Sequence, residues 1–311
     1  MPPIEPLARF RASLDALTGG TGQIGIAVSG GPDSVALLLL ANAAIPKRIA
    51  AATVDHGLRA EAATEARLVA SLCEGLGVPH HILTPSSPIT GNVQSAARTA
   101  RYALLEDWAT DQGLDWIATA HHADDQAETL LMRLNRGSGV AGLAGVRARN
   151  GRVIRPLLDW RREELVAIVA DAGITPVDDP SNRDDRFDRA RLRKLISGKD
   201  WLDPIAVGRS AAALAEAELA LEWAATAYAN RRVAARDGVV SFDPQGLPRE
   251  LLRRITLHCL HQINPQAAPR GDELDRLLLG LTQARVATLA GVKCSGGTFW
   301  LFAAAPPRRT N

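Results

Sequence analysis

The sequence predicts an α/β protein with a doubly wound, mostly parallel sheet, followed by a smaller, mainly helical C-terminal domain. Short apolar runs typical of buried strands alternate with helix-forming segments through the first half of the chain. The predicted strands are residues 24–28, 49–54, 81–83 and 116–119, and the predicted helices are residues 33–44, 62–76, 95–108 and 124–134. Repeated β-α units place helices on both faces of a parallel sheet through right-handed crossovers.

The second half of the chain has a different pattern. A helix is predicted at residues 161–172, an irregular polar segment at 175–188, and a linker near 197–204. Beyond it, the predicted helices are 205–233, 247–261 and 272–281, and a small β element is predicted between 286 and 302. We therefore expect two domains, residues 1–200 and residues 201–311.

Composition excludes several classes of protein. Hydrophobic residues make up 46% of the chain and charged residues 23%, with a formal net charge of +2, which argues against disorder. There is no apolar run of roughly 20 residues to span a bilayer and no apolar leader, so we expect a cytoplasmic protein without a membrane partner. The 3 cysteines lie far apart and form no CxxC, which argues against a disulfide framework or a zinc ribbon.

A glycine-rich turn between the first strand and helix is the first chemical feature. Such a turn gathers backbone N–H groups and the positive end of the helix dipole at one point, which suits an anion. The alternative is a capped turn without a ligand. The turn is neither a Walker A loop nor GxGxxG, but it matches the PP-loop of ATP pyrophosphatases. The predicted nucleotide-binding residues are Ser29, Gly30, Gly31, Pro32, Asp33 and Ser34.

Polar residues also follow two other predicted strands. Asp55 and His56 end the second strand, where a doubly wound sheet binds ligands, and we predict that they contact the nucleotide. After the fourth strand comes the string TAHHADDQAET at residues 119–129. Helix capping explains some of its acids. A metal site of the phosphohydrolase type, with His80 and His81 as further ligands, is an alternative reading.

The order of these motifs resembles that of the bacterial tRNA(Ile)-lysidine synthases of the PP-loop superfamily. The resemblance rests on VSGGPDSVALL, VDHGLRAEA, NVQSAARTARY, AHHADDQAETLLMRLNRGSGVAGLAGV, RPLL and DPSNRDDRFDRARLR, and it covers most of residues 22–195. Gln94, Asn135 and Ala190 depart from the usual pattern. The chain resembles the short form of the family, which lacks an additional C-terminal domain.

The resemblance implies an ATP-dependent ligase that joins L-lysine to C2 of the wobble cytidine in the CAU anticodon of tRNA(Ile). ATP, accompanied by Mg²⁺, would adenylate the base with release of pyrophosphate, and lysine would then displace AMP. Asp125 and Glu128 would hold the lysine ammonium, His121 would assist its deprotonation, and Arg101 would stabilise developing charge. The oligomeric state stays open, with a dimer as one option.

Arginine clusters predict the RNA contacts. Basic residues dominate two stretches next to the proposed site, and phosphate contact competes there with a solvated helix face as an explanation. The predicted RNA-binding residues are Arg133, Arg136, Arg183, Arg189, Arg191 and Arg193, and Arg147 and Arg186 belong to the same clusters. We expect the accessory domain to bind tRNA as well.

Three other functions compete with this interpretation. Another PP-loop enzyme, such as a tRNA thiolase or an amidotransferase-type synthetase, would need reactive cysteines or a glutaminase domain. A nucleotide- or RNA-binding module without catalysis would need the loop but not His121, Asp125 and Glu128. A metal phosphohydrolase would leave the loop without a role.

Overall fold

The computed structural model describes residues 4–57, 61–86, 93–177, 191–192, 194–195 and 201–306. Its contacts divide the chain into two compact units, Met1–Ala215 and Glu216–Asn311. The division therefore falls after the predicted boundary at residue 200. Across the described residues, every helix is too short or too polar to cross a membrane.

The first unit is built on a six-stranded sheet with the order β3-β2-β1-β4-β6-β5. Its strands are β1 Ile24–Ala27, β2 Ile49–Val54, β3 His80–Leu83, β4 Trp116–Ala118, β5 Arg149–Asn150 and β6 Val153–Ile154. All pairings are parallel except that of β5 with β6. The predicted doubly wound, mostly parallel sheet is confirmed, and the short antiparallel β5 is an addition that the sequence pattern did not predict.

Helices from the first part of this unit connect or cover these strands. They are α1 Ile4–Thr18, α2 Pro32–Ala44, α3 Ala62–Gly75, α4 Val93–Asp111, α5 Ala123–Asn135, the short α6 Val140–Leu143 and α7 Arg162–Asp171. Helix α1 was not predicted, although Leu7, Phe10 and Leu14 recur at helical spacing and are buried. Helix α6 lies inside residues 137–145, the glycine-rich stretch after α5, whose composition predicts a loop.

The core of this unit explains where the site forms. Helix α2 is apolar on nearly all sides and packs against α1, α7 and the sheet, so its N-terminus is held at the end of β1. Gly25 in β1 leaves room for α4, because a Cβ there would lie 2.5 Å from Cζ3 of Trp108. Helix α4 consequently packs closely along the sheet beside the ends of β1 and β2.

The second unit combines helices with an antiparallel sheet. Helix α8, Pro204–Arg232, crosses the division between the units, and α9 Arg249–Ile263 and α10 Gly271–Thr282 follow. The sheet has the order β7-β8-β11-β10-β9, with β7 Val233–Arg236, β8 Val239–Phe242, β9 Val286–Leu289, β10 Val292–Ser295 and β11 Trp300–Ala304. The predicted helices and the C-terminal β element are therefore present, and the β7-β8 hairpin is new.

Candidate nucleotide-binding and catalytic site

The glycine-rich loop joins β1 to α2 and needs glycine at its second position. Gly30 has φ +87°, a conformation that L side chains rarely adopt, and a Cβ there would lie 2.9 Å from Cγ2 of Val177. The Gly30 carbonyl also accepts a 2.9 Å hydrogen bond from the backbone N–H of Val177. The loop therefore packs against the segment after α7, and a larger residue would push the two apart.

Two serines fix the shape of the loop. The Ser34 hydroxyl donates to the Gly31 carbonyl at 3.0 Å and accepts from the Ser29 backbone N–H at 3.1 Å. The two hydroxyl oxygens lie 3.2 Å apart, and because the Ser34 proton is already engaged, Ser29 is the donor between them. Pro32 opens α2 directly after the N-cap residue Gly31, so the N-terminal N–H groups of the helix face the loop.

A cavity of about 330 Å³ opens above this loop. It is bounded by the ends of β1, β2 and β4, by α4, and by the starts of α5 and α7. Its polar lining includes Ser29, Asp33, Ser34, Arg98, Arg101, Tyr102, Thr119, His121, Asp125 and Arg162. The cavity thus brings together the loop and three of the four predicted catalytic residues, Arg101, His121 and Asp125.

His121 and Asp125 reach the cavity from the turn between β4 and α5. The His121 ring nitrogen Nδ1 lies 3.0 Å from the Thr119 hydroxyl. In the tautomer in which Nδ1 donates this bond, Nε2 is the basic nitrogen of the ring. One Asp125 carboxylate oxygen accepts a 3.2 Å hydrogen bond from the His122 backbone N–H, which holds the carboxylate at the helix start. His121 thus supplies a base and Asp125 supplies an anion in the same cavity.

His122 does not line the cavity and is buried among carboxylates. Its Nε2 lies 3.6 Å from Asp33 and 3.5 Å from Asp125, and its Nδ1 lies 3.6 Å from Asp124. Burial alone would lower the pKa of the imidazole, but Asp124, Asp33 and Asp125 outweigh burial and raise the pKa to about 10. His122 is therefore an imidazolium at neutral pH.

Asp124 links this cluster to the start of α7. Its carboxylate accepts a 2.8 Å hydrogen bond from the Arg162 backbone N–H and lies 3.5 Å from Nε of Arg161. Burial disfavours the charged carboxylate, yet His122, Arg162 and Arg161 together hold the pKa of Asp124 well below its usual range. The Arg162 guanidinium lines the cavity, with Nε 3.9 Å from Asp33.

The other predicted residues, Asp55, His56 and Glu128, are not among those that line the cavity. Glu128, one turn along α5, is buried and does not line the cavity. The Asp55 carboxylate accepts a 2.8 Å hydrogen bond from Gly57 N–H and so shapes the turn after β2. Both ring nitrogens of His56 are buried without a hydrogen-bond partner in the described part of the chain. Burial and the neighbouring Arg101 lower the pKa of His56, although Asp55 opposes them.

The predicted RNA-binding arginines differ in their placement. The Arg133 guanidinium donates to the carbonyls of Gly142 and Gly145, so it holds the glycine-rich stretch after α5 in place. Arg136, just beyond the end of α5, and Arg191 are exposed. The remaining residues of the second cluster, Arg183, Arg186, Arg189 and Arg193, lie outside the described residues.

Sequence reasoning missed two contributors to the site. Arg162 was not singled out, although two arginines at a helix start oppose the helix dipole and so signal an anionic neighbour. Gln126 was also missed. Its buried amide donates to the Val146 carbonyl and accepts from the Val146 N–H, both at 2.7 Å, and it thereby anchors the glycine-rich stretch.

The sheet, the Ser-Gly-Gly loop and the cavity at the strand ends together define a PP-loop protein. A family model described as a PP-loop domain matches residues 7–199. In solved structures, the fold is similar to that of the U34-tRNA thiolase NcsA from Methanococcus maripaludis, with its [4Fe-4S] cluster. The TM-score is 0.57 at 18% identity, over 68% of this chain and 79% of that chain.

Curated relatives narrow the class to one family. The tRNA(Ile)-lysidine synthase of Novosphingobium aromaticivorans is 47% identical, over 98% of this chain and 95% of the relative. The tRNA(Ile)-lysidine synthase of Zymomonas mobilis subsp. mobilis is 44% identical, over 93% of this chain and 90% of the relative. The chain therefore belongs to the tRNA(Ile)-lysidine synthase family.

Proposed function

We propose that this chain joins L-lysine to C2 of the wobble cytidine in the CAU anticodon of tRNA(Ile), at the expense of ATP. In the first step the C2 oxygen of the base attacks the α-phosphorus, and the bond to the β-phosphate breaks with release of pyrophosphate. In the second step an amine of lysine forms a bond to C2, and the bond from C2 to the AMP oxygen breaks. The proposal rests on one observation: the Ser-Gly-Gly loop, His121 and Asp125 line the same cavity.

The loop suits the pyrophosphate end of ATP. Its serine hydroxyls and the N-terminal N–H groups of α2 are donors aimed at one side of the cavity. Arg162 lines the same side, and its guanidinium adds positive charge where negative charge collects on the leaving group. Arg101 lines the cavity from α4, where it supports the proposed stabilisation of the adenylated base.

The turn before α5 suits a cationic nucleophile. The Asp125 carboxylate supplies the anion that pairs with an ammonium group, and we propose that Glu128 assists from the next turn. An ammonium has no lone pair, so it must lose a proton before it attacks C2. In the tautomer in which Nδ1 donates to Thr119, the basic Nε2 of His121 is the proposed acceptor of that proton.

Mg²⁺ enters this scheme only as part of the ATP substrate. Among the residues that the structure describes, no three His, Cys, Asp or Glu side chains converge as a metal site. The phosphates of ATP and water would supply the oxygen ligands that Mg²⁺ prefers.

RNA contact is proposed for the arginine clusters and for the C-terminal unit. Arg136 and Arg191 are exposed, which suits contact with phosphates, whereas the contacts of Arg133 favour an indirect role through the glycine-rich stretch. The target cytidine must leave its stack to reach a cavity at the strand ends. Phosphate contacts make the affinity for tRNA fall with rising salt.

The cysteines argue against the thiolase alternative. Cys73, Cys259 and Cys294 are all buried. Burial raises the pKa of the Cys73 thiol to about 11, and that of the Cys259 and Cys294 thiols to about 12. Thiolates are the reactive form and the form that binds clusters, so these three thiols are suited to packing rather than to sulfur transfer.

The test is the substrate dependence of ATP cleavage. Release of pyrophosphate and of AMP is measured with the CAU isoleucine tRNA and L-lysine together, with either one omitted, and with arginine in place of lysine. We expect AMP release only when both tRNA and lysine are present. AMP release that needs a sulfur donor, or ATP hydrolysis that ignores lysine and tRNA, would overturn the proposal.

A further inference from the structure

We propose that His122 is a positioning residue whose charge fixes the Ser-Gly-Gly loop and the proposed lysine pocket relative to each other. The inference rests on the proposed function. His122 itself does not line the cavity, and its side chain is 2% exposed. It acts through the carboxylates of Asp33 and Asp125, which do line the cavity.

Three helix N-termini meet at this ring. Asp33 belongs to the first turn of α2, Asp124 and Asp125 to the first turn of α5, and the Arg162 N–H that binds Asp124 opens α7. A backbone hydrogen bond also joins the start of α5 to the residues before α7, because Ala123 N–H donates to the Trp160 carbonyl at 2.9 Å. One imidazolium within 3.6 Å of carboxylates from two different helices therefore bridges the elements that carry the loop and the proposed lysine pocket.

Opposite charges meet at this junction. Asp33, Asp124 and Asp125 supply three negative charges, and His122, Arg161 and Arg162 supply three positive charges, while Arg161 also lies 3.8 Å from the exposed Glu163. Without the imidazolium, three carboxylates would face one another beside a phosphate loop. Repulsion in a poorly solvated site would then move Asp33 and Asp125 apart.

This role predicts a result that a simple loss of charge does not. Removing one positive charge near the cavity would weaken the binding of anionic ATP and strengthen the binding of cationic lysine. Loss of positioning weakens both, because each ligand depends on a carboxylate or loop that His122 holds. Restoring the charge balance by neutralising Asp124 should recover part of both affinities, since removing both partners of a buried pair leaves no orphaned charge.

The experiment measures the dissociation constants of ATP and of L-lysine by calorimetry for the wild type, His122→Gln, His122→Gln/Asp124→Asn and a control. The control is His80→Gln, since His80 is a half-buried histidine of the same unit that contacts the Thr53 hydroxyl at 2.9 Å and lies outside the cavity. We expect His122→Gln to weaken both ligands about tenfold or more, the double variant to recover at least about threefold for each, and the control to stay near wild type.

The outcomes separate the two levels of the proposal. Failure of the wild-type protein to bind lysine would overturn the proposed function itself. Wild-type binding of both ligands with unchanged affinities in His122→Gln, or opposite changes for ATP and lysine, would overturn the positioning role. If His122→Gln does not fold, the double variant decides: folding with recovered affinities supports the role, and failure to fold or to bind either ligand contradicts it.

Discussion

Gln126 offers the sharpest stability prediction, because one buried side chain fixes a whole stretch of backbone. Its amide makes two 2.7 Å hydrogen bonds with the backbone of Val146. Gly145, the residue before Val146, has φ +67°, and a Cβ there would lie 2.6 Å from Oε1 of Gln126. The side chain and the glycine are therefore matched to each other.

The expected cost of Gln126→Ala follows from these contacts. Each net hydrogen bond contributes about 1 kcal/mol, and a buried group left without its partner costs about 1–3 kcal/mol. The free energy of unfolding should then fall by about 2–4 kcal/mol, which for a unit of this size lowers Tm by roughly 5–12 °C.

The assay is thermal unfolding of Gln126→Ala beside Gln112→Ala, an exposed glutamine at the end of α4. Gln126→Glu adds a second comparison. Its carboxylate still accepts from the Val146 N–H but meets the Val146 carbonyl with no proton to donate, so it should also destabilise. A Tm within about 2 °C of the control for Gln126→Ala would refute the reasoning.

Four further predictions concern ligands and pH. Asp125→Asn should raise the lysine KM about tenfold while the ATP Kd stays within about threefold, and an unchanged lysine KM would remove Asp125 from the lysine pocket. Gly30→Ala should weaken ATP binding about tenfold, because its Cβ meets Val177 at a positive φ; equal affinity would show that the loop tolerates a side chain. The logarithm of tRNA affinity should fall linearly with the logarithm of salt concentration, and a flat line would contradict phosphate contact. The folded-state pKa of His122 is raised from 6.5 to about 10, so the stability that its charge contributes is complete below pH 6.5 and is lost as pH rises through about 10. The free energies of unfolding of wild type and His122→Gln, measured in urea, should therefore converge over that range. A constant difference between them would contradict the imidazolium.

Local patterns in the sequence predicted the parts of the site that depend on local structure. Glycine and serine between an apolar strand and an apolar helix determine the loop at residues 29–34, and the turn before α5 places His121 and Asp125 at the same sheet edge. Both predictions need only the positions of strand ends and helix starts along the chain, which short-range periodicity carries.

Long-range contacts between side chains could not be predicted in the same way. The backbone N–H of Arg162 meets Asp124 across 38 residues of sequence, and no local pattern encodes that pairing. The direction of the Arg133 guanidinium, toward the carbonyls of Gly142 and Gly145, is likewise fixed by packing and not by composition. An arginine run therefore predicts positive charge, while the structure shows that Arg133 uses its guanidinium to bind backbone carbonyls.

The most direct test of the account is the mass of the wobble nucleoside after reaction. The protein is incubated with ATP and L-lysine and either the CAU isoleucine tRNA or the methionine elongator tRNA, and each tRNA is digested and analysed by mass spectrometry. We expect a lysine adduct of cytidine in the isoleucine tRNA and little or none in the methionine tRNA. An unmodified cytidine in both tRNAs, with ATP still consumed, would contradict it.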